Sequence, residues 1–331
     1  MTAGPARPFG GLRVVLVAAF NRRYHRSGLA LARALTMLGC EVRRCEERRR
    51  GLNSLFGRPL VARLAATLAR AAADAILVFK GARLAAADVR ELKRVFGGRW
   101  INWFPDDPHE LAMSLGLGPV YDCFFTHDSS SLARHRAAGA RAHYLAFGCD
   151  PDYLRPLAGT RGGWAPWGRS RHGSAPLVFV GSRDPVREVV VRELTDLGLV
   201  VWGPGWPGRA LYGDDFVRAL AGASVGLNIH QQFGPKGDPA RYGSGANMRV
   251  FELAAVGTAQ LSDAKADIER HFTPGREIVL YRSVGELRAR ARDLLADPSA
   301  RQALAAAARA RALREHTWAH RLEELLTISL R

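Results

Sequence analysis

The chain has 331 residues, a hydrophobic fraction of 47% and a formal net charge of +17. This length is natural for two domains, and the hydrophobic content excludes a disordered protein. The sequence shows no apolar segment of signal-peptide or membrane-span length, so we expect a cytoplasmic protein. Its four cysteines lack metal-ligand spacing, and we expect them to be reduced structural thiols.

The positive charge is mostly arginine, with clusters at 43–50 and 155–171. Such a balance attracts polyanions, phosphorylated small molecules or anionic membrane surfaces, so peripheral contact with an anionic membrane is one candidate interaction. We do not expect a nucleic-acid partner, because no RNP run, zinc finger or helix-turn-helix pattern appears. Coding bias also produces an arginine- and alanine-rich composition, so charge alone identifies no partner.

The first half alternates between strand and helix patterns. Leu12–Ala19 is a continuous apolar run, typical of a strand buried on both faces, and Leu29–Leu38 is an amphipathic helix. Further strands are predicted at 40–45, 75–79, 100–104, 121–126 and 142–146, with helices at 61–73, 85–96 and 131–138. This alternation predicts a parallel α/β domain. A dinucleotide fingerprint is not part of it, because the G-x-G-x-x-G spacing is missing.

Acidic and imidazole side chains follow the predicted strand at 100–104. Asp106, Asp107 and His109 come directly after its carboxyl end, which makes them the candidates for acid/base chemistry. The alternative is a proline-flanked turn in which an aspartate caps the next helix.

A Pro-, Gly- and Arg-rich stretch at 150–174 is the predicted linker. The alternation then resumes, with strands predicted at 177–180, 199–202, 224–229 and 278–281, and helices at 264–271, 283–295, 298–316 and 318–330. We therefore expect two domains, covering residues 1–155 and 175–331, the second with a helical tail.

The stretch Arg241–Asp263 contains the second candidate site. A Gly/Ser run at 243–246 feeds a helix that stops at Gly257 and is followed by a strand. Backbone N–H groups and the helix dipole favour an anion at such a helix start, and Glu252 lies one turn further on. The pattern indicates recognition of a phosphate and a sugar. An ordinary loop–helix–strand unit with a solvated Glu252 is the alternative.

Several runs resemble one family, the CgeB-like (spore-maturation) branch of the group 1 glycosyltransferases. They are WFPDDP at 103–108, FTHDS at 125–129, FVGS at 179–182, LNIH at 227–230, NMRVFELAAVG at 247–257, FTPGREIVLY at 272–281 and HTWAHR at 316–321. The resemblance implies the GT-B fold. In this fold two Rossmann-like domains face a cleft, the first holding the acceptor and the second a nucleotide-sugar donor.

The resemblance also implies site residues. Glu252 corresponds to the glutamate that accepts hydrogen bonds from the ribose hydroxyls of the donor. Gly181 and Ser182 would let the backbone approach the diphosphate, which Arg183 or Arg187 would neutralise. The other implied donor-binding residues are Trp202, Gly203, Asn228, His230, Ser244, Gly245, Asn247 and Arg249. Trp202 and Gly203 would border the nucleobase, unless Trp202 is a core residue.

One position departs from the family. Many group 1 enzymes have a second glutamate eight residues before the ribose glutamate, and here Ser244 stands in that place. Asn247 or Asn228 would then take over the contact with the sugar.

The implied activity is hexosyl transfer from a nucleotide-diphosphate-sugar co-substrate, with no cofactor and no metal, to a glycan, protein or small-molecule acceptor. An inverting reaction needs a base, for which Asp106, Asp107 or His109 are the candidates, whereas a retaining reaction leaves them to position the acceptor. The competing hypotheses are a polyanion- or nucleic-acid-binding protein and a nucleotide-sugar epimerase of the same fold.

Overall fold

A computed structural model of the chain describes residues 8–20, 27–47, 59–155, 175–231 and 243–331. Most of the predicted linker, the arginine positions 48–50 and the start of the stretch at 241 lie outside the described residues. The chain divides into two compact units, Met1–Ala146 with Trp318–Arg331, and Phe147–Thr317. The last helix therefore belongs to the first unit, whereas the sequence prediction placed it in the second.

The first unit is built on a parallel sheet with strand order β2-β1-β3-β4-β5-β6. Its strands are β1 (Arg13–Ala18), β2 (Glu41–Glu46), β3 (Ala75–Phe79), β4 (Arg99–Phe104), β5 (Cys123–Thr126) and β6 (Ala142–Tyr144). The chain order reverses between β1 and β3. In open parallel sheets ligands bind at the carboxyl ends of the strands beside such a reversal.

The helices of the first unit are α1 (Ser27–Met37), α2 (Leu60–Leu68), α3 (Ala86–Val95), α4 (Leu111–Leu117) and α5 (Leu132–Ala137), together with the last helix, Trp318–Ser329. The buried face of α2 carries Leu60, Leu64 and Leu68, one residue per turn, in the same core cluster as Ile76 of β3. This helix is shorter than the predicted 61–73, because the chain turns after Leu68 to enter β3. Trp318 packs edge-on against Trp103, with ring centroids 5.4 Å apart.

The second unit has a five-stranded parallel sheet of order β11-β10-β9-β7-β8. Its strands are β7 (Leu177–Val180), β8 (Leu199–Trp202), β9 (Val225–Asn228), β10 (Ala259–Asp263) and β11 (Val279–Tyr281). The helices are α6 (Pro185–Arg192), α7 (Asp214–Ala221), α8 (Met248–Val256), α9 (Val284–Ala296) and α10 (Pro298–Glu315), which makes the last helix of the chain α11. Here the reversal falls between β7 and β9, next to the predicted donor-binding runs.

Helix α8 is fixed at both ends and along its buried face. The Asn247 side chain accepts from the Val250 N–H at its start, and Gly257 ends it with a left-handed φ of 76°. A Cβ at Gly226 would lie 2.3 Å from a Leu253 methyl group, so the bare β9 backbone is what lets this helix approach the sheet.

The segment after β10 is not the predicted helix. Only Ile268–Arg270 forms a short 3-10 turn. The buried Asp267 side chain accepts a hydrogen bond from the Ser244 hydroxyl at 3.0 Å, and its N–H donates to the Ser244 carbonyl. These tertiary bonds hold the segment in a shape that a regular helix would not allow.

Among the residues that the structure describes, no helix is both long enough and apolar enough to cross a membrane.

Candidate functional site

The candidate donor site lies in the second unit, at the carboxyl ends of β7, β9 and β10. Gly181 and Ser182 follow β7, Asn228 ends β9, and Asp263 ends β10. Parallel pairing puts these strand ends at one edge of the sheet, beside the reversal in strand order.

The loops that follow β7 and β8 are joined through their backbones. The Gly181 N–H donates to the Trp202 carbonyl at 2.9 Å, and the Trp206 indole N–H donates to the Gly181 carbonyl at 3.0 Å. Gly203 has a φ of 139°, and a Cβ there would stand 2.0 Å from the Gly181 carbonyl oxygen. Gly203 thus lets the loop after β8 approach the Gly181 backbone, an approach within the protein that differs from the approach to a diphosphate predicted for Gly181. Trp206, which the sequence analysis did not select, makes the indole contact.

Arg187 lies inside the site as a cross-link. It is 8% exposed, and its Nε and Nη2 both donate to the Ile229 carbonyl, at 3.1 and 2.8 Å. Its Nη1 donates to the Ser182 carbonyl and hydroxyl at 3.0 and 2.9 Å, and Asp184 lies 3.3 Å away. Burial lowers the pKa of this guanidinium, with Asp184 acting in the opposite direction. Arg187 therefore joins the loop after β7 to the loop after β9.

Arg183 is the exposed cation of the two predicted arginines. Its guanidinium pairs with Glu188 at 2.9 Å and lies 5.8 Å from the centre of the Trp206 ring. About half of its side chain is exposed, in contrast to the buried Arg187. Of the two, Arg183 is the more accessible to an incoming anion, and its Nε and Nη2 donate to Glu188.

His230 links β9 to β10 and to the start of α8. Its backbone N–H and its Nδ1 both contact the Oδ1 atom of Asp263, at 3.0 and 2.6 Å. Its Nε2 lies 3.1 Å from the Asn247 backbone nitrogen, which donates to it. This Asn247 N–H, expected from the sequence to face a phosphate, is therefore used within the protein.

The polar network continues through the side chains of the strand ends. Asn247 Nδ2 donates to Asn228 Oδ1 at 3.0 Å, and Asn228 Nδ2 donates to the Ser262 hydroxyl at 2.9 Å. Asn228 is almost fully buried, and Asn247 is half-buried. Because these amides are joined to each other, they fix the start of α8 relative to the sheet.

The Gly/Ser loop before α8 is anchored from the side of β10. Ser244 is tied to Asp267, and the Lys265 ammonium donates to the Gly243 carbonyl at 3.4 Å. Gly245 follows within the same loop. Lys265 thus adds a cation beside the loop that the sequence analysis did not identify.

Glu252 forms an ion pair with Arg249 one turn earlier on α8. Arg249 also donates through Nη2 to the Val180 carbonyl at 2.9 Å, and its guanidinium lies 4.6 Å from the centre of the Phe216 ring on α7. The side chains of Arg249 and Glu252 are 18% and 16% exposed. The structure therefore places the predicted ribose carboxylate at the end of β7, partly accessible and oriented by a fixed arginine.

The sequence analysis missed Asp263, Lys265 and Trp206 as site residues. A signal for the first two was available, since both lie at the polar carboxyl end of a predicted strand, where ligand-side residues gather. Trp206 lies in a Pro/Gly turn with no periodic pattern, and only the folded loop shows its contact with Gly181.

In the first unit, Lys80 and two carboxylates form a cluster after β3 and β4. Its ammonium lies 2.5 Å from Asp106 and 2.9 Å from Glu110. Burial acts to lower the pKa of Lys80, but the two carboxylates outweigh it and the pKa is raised. Lys80 has a left-handed φ of 70°, which is uncommon for a residue with a side chain. About 39% of the Asp106 side chain is exposed, and Lys80 fixes its orientation.

Asp107 has a different environment from its neighbours. It is fully buried, its Oδ1 accepts from the Ser114 hydroxyl at 2.5 Å, and its Oδ2 contacts His135 Nε2 at 2.8 Å. His109, two residues later, is exposed. This geometry gives Asp107 a structural role in the turn, but not the predicted capping role, because the N-cap residue of α4 is Glu110, whose side chain makes no capping hydrogen bond. Asp106 and His109 are more exposed to solvent.

We expect Asp107→Ala to destabilise the protein by about 2–4 kcal/mol, because it removes the buried carboxylate that contacts the Ser114 hydroxyl and the His135 imidazole. Thermal unfolding measures this, with His109→Ala as the exposed control, for which we expect a change within about 0.5 kcal/mol. An Asp107→Ala protein with unchanged stability but no activity would instead support a direct catalytic role.

Among the residues that the structure describes, no group of three or more His, Cys, Asp or Glu side chains is arranged to hold a metal ion.

Comparison with known proteins gives a family match in the second half of the chain. Residues 183–327 match the model of the family described as "Glycosyl transferase-like". No curated protein matches the chain by sequence. The chain therefore carries a glycosyl transferase-like domain that includes the ends of β9 and β10 and all of α8.

Solved structures match over nearly the whole chain. Sucrose-phosphate synthase from Thermosynechococcus elongatus has a TM-score of 0.67 at 13% identity, covering 96% of this chain and 98% of that one. HepE from Anabaena, in complex with UDP and glucose, has a TM-score of 0.65 at 12% identity, covering 97% and 100%. AviGT4, a glycosyltransferase of avilamycin A biosynthesis, has a TM-score of 0.63 at 17% identity, covering 96% and 98%.

These likenesses show the fold, and they confirm the predicted GT-B architecture with its two parallel sheets. Together with the domain match, they define the class of the protein: it is an enzyme, a glycosyltransferase of the GT-B type. The narrower CgeB-like branch stays a prediction.

Proposed function

We propose that this enzyme transfers a hexose from a nucleotide-diphosphate-sugar to an acceptor, with the donor bound at the carboxyl ends of β7, β9 and β10. The observation that carries the proposal is the position of Glu252, partly exposed and held by Arg249 next to the last carbonyl of β7. A carboxylate offers two acceptor oxygens, which suits the vicinal hydroxyls of a ribose.

The proposed diphosphate position lies between the Gly181–Ser182 loop and the start of α8. The first N–H groups of a helix have no intrahelical acceptor, and the helix dipole favours negative charge there. Arg183 and Lys265 add two cations at the edges of this position.

Negative charge develops on the diphosphate as the glycosidic bond breaks. Donors and cations that are already oriented stabilise that charge more than flexible ones, because they need no reorganisation during the reaction. Arg187 acts indirectly, since its hydrogen bonds hold the Ser182 and Ile229 loops together. We propose that these groups stabilise the charge on the diphosphate without a metal ion.

The nature of the donor is suggested by the structural neighbours. HepE was solved with UDP, with UDP-glucose and with UDP and glucose, and an alpha-glucosyltransferase was solved with UDP. Their likeness to this chain supports a uridine diphosphate sugar as the first donor to test. The four buried free cysteines suit a reducing compartment, so we place the reaction in the cytoplasm.

The acceptor is proposed to bind to the first unit, at the Lys80–Asp106–Glu110 cluster. If the reaction inverts configuration, Asp106 is the preferred base, because its carboxylate is both accessible and oriented by Lys80. If it retains configuration, Asp106 and His109 position the acceptor instead. Asp107 supports their loop from within through Ser114 and His135.

A thermal-shift panel tests the donor assignment. We expect UDP and UDP-hexoses to raise Tm, since a ligand at 100 times its Kd stabilises a protein by about 2.7 kcal/mol. ADP, GDP and uridine are the matched comparisons, and each measurement is repeated with EDTA to test metal independence. If no nucleoside diphosphate raises Tm, the donor site is wrongly assigned. If EDTA removes the shift, metal independence is wrong.

A further inference from the structure

We propose that Asp263 is a positioning residue of the donor site, which acts through His230 on Asn247 and on the start of α8. The inference rests on the proposed function, because the group that it positions is the one assigned to the diphosphate. Asp263 itself touches neither the proposed nucleotide position nor the reacting sugar.

The hydrogen bonds around His230 determine which of its nitrogens carries the proton. Asp263 Oδ1 accepts from both the His230 backbone N–H and the Nδ1 atom, at 3.0 and 2.6 Å. The other ring nitrogen, Nε2, has the Asn247 backbone N–H pointing at it from 3.1 Å. A neutral imidazole has one donor and one acceptor. Only the tautomer with hydrogen on Nδ1 satisfies both partners.

The carboxylate form of Asp263 is what selects this tautomer. An ionised carboxylate is an acceptor only, so the nitrogen that faces it must be the donor. Burial acts to raise the pKa of Asp263, but the hydrogen bonds from His230 and the nearby Lys265 ammonium outweigh it, and the pKa is lowered. Asp263 is therefore ionised at neutral pH.

The consequence reaches α8 through Asn247. This residue caps the helix by accepting from the Val250 N–H, and its side chain donates to Asn228. The backbone N–H of Asn247 donates to His230, so both the backbone and the side chain of Asn247 are held in place. The N–H groups of Met248 and Arg249 lie in the first turn, where a helix supplies no intrahelical acceptor. Small displacements of such groups cost activity steeply, because catalysis depends on their placement.

Asp263→Asn tests the inference. A neutral amide accepts less strongly and can present its NH₂ to Nδ1, which favours the tautomer with hydrogen on Nε2 and opposes the Asn247 N–H. We expect ¹⁵N NMR of histidine-labelled protein to show the Nδ1–H form of His230 in the wild type and a shift towards the Nε2–H form in the variant. We expect UDP affinity, measured by calorimetry, to fall on the order of tenfold.

Two further variants make the result specific. Asp267→Asn removes another buried carboxylate from the same sheet edge. Asp267 bonds to Ser244 and not to His230, so we expect the His230 tautomer to stay unchanged. Asp263→Glu keeps the charge, and we expect it to restore the Nδ1–H form at least in part. A purely structural role for Asp263 would not produce this pattern.

Two outcomes would overturn the inference: an Nε2–H tautomer of His230 in the wild-type protein, or an Asp263→Asn variant with unchanged tautomer and UDP affinity. The wild-type spectrum alone decides the tautomer if the variant does not fold. A wild-type protein with the Nδ1–H form that binds no UDP would count against the proposed donor and leave the tautomer assignment standing.

Discussion

Replacing Glu252 by alanine should lower kcat/KM for the nucleotide-sugar by about 10²- to 10⁴-fold. A carboxylate that accepts from two ribose hydroxyls forms two hydrogen bonds to a charged group, each contributing about 1.5–3 kcal/mol, and every 1.4 kcal/mol is a factor of ten. We expect the loss to appear mainly in the KM for the donor, because the ribose is bound equally in the ground state and the transition state. Steady-state kinetics at several donor concentrations measures it.

The ion pair with Arg249 requires controls, because the truncation also leaves a partly buried guanidinium without its partner. Glu252→Gln keeps the size of the side chain, and Arg249→Met combined with Glu252→Ala removes both charges. We expect all three variants to lose donor binding, and the double variant to recover part of any lost stability. Asp196→Asn, which breaks the exposed pair with Arg288, should leave kinetics unchanged. A Glu252→Ala enzyme within about threefold of wild-type kcat/KM would contradict the ribose assignment.

The interior strands were predictable from sequence because their residues are apolar on both faces. The runs at 177–180 and 75–79 each have a neighbouring strand on both sides and match the observed β7 and β3. Segment ends were harder to predict. The predicted helix at 264–271 has a suitable composition, but Asp267 makes its hydrogen bonds with Ser244, and a bond between residues 23 positions apart leaves no local pattern.

The assignment of the last helix failed for a related reason. The sequence of α11 continues the helical pattern of α10, so periodicity offered no sign that it leaves the second unit. In the structure, Arg99 of β4 donates to the Ser329 carbonyl at 2.7 Å, and Trp318 packs on Trp103. These contacts join parts of the chain that are more than 200 residues apart.

The sequence indicated which residues lie at the edge of the sheet but not which way their side chains turn. Parallel α/β sheets bind ligands at the carboxyl edge, and the runs after β7 and β9 lie at that edge. Whether an arginine there faces a ligand or the protein depends on which loop folds over it. Arg183 and Arg187 are four residues apart, yet one is exposed and the other spends its donors on internal carbonyls. Asp106 and Asp107 are adjacent and differ in the same way.

Substituting Gly203 by alanine should cost about 3–5 kcal/mol of stability and lower Tm by roughly 10 °C. A Cβ at this position would lie 2.0 Å from the Gly181 carbonyl oxygen and 2.6 Å from its carbon, and these backbone atoms cannot move aside as a side chain would. The φ of 139° adds strain for any residue with a Cβ. Because the collision pushes the loop after β7 away from β8, donor affinity should fall as well.

Gly275→Ala is the matched control: its φ of 78° is also left-handed, but a Cβ there meets nothing within 4 Å, so we expect a loss of only about 1–2 kcal/mol and unchanged UDP affinity. Differential scanning calorimetry and UDP titration of the two variants separate the effect of the steric collision from that of backbone strain. Equal losses of stability and of UDP affinity in the two variants would show that the approach of Gly203 to Gly181 does not matter for the site.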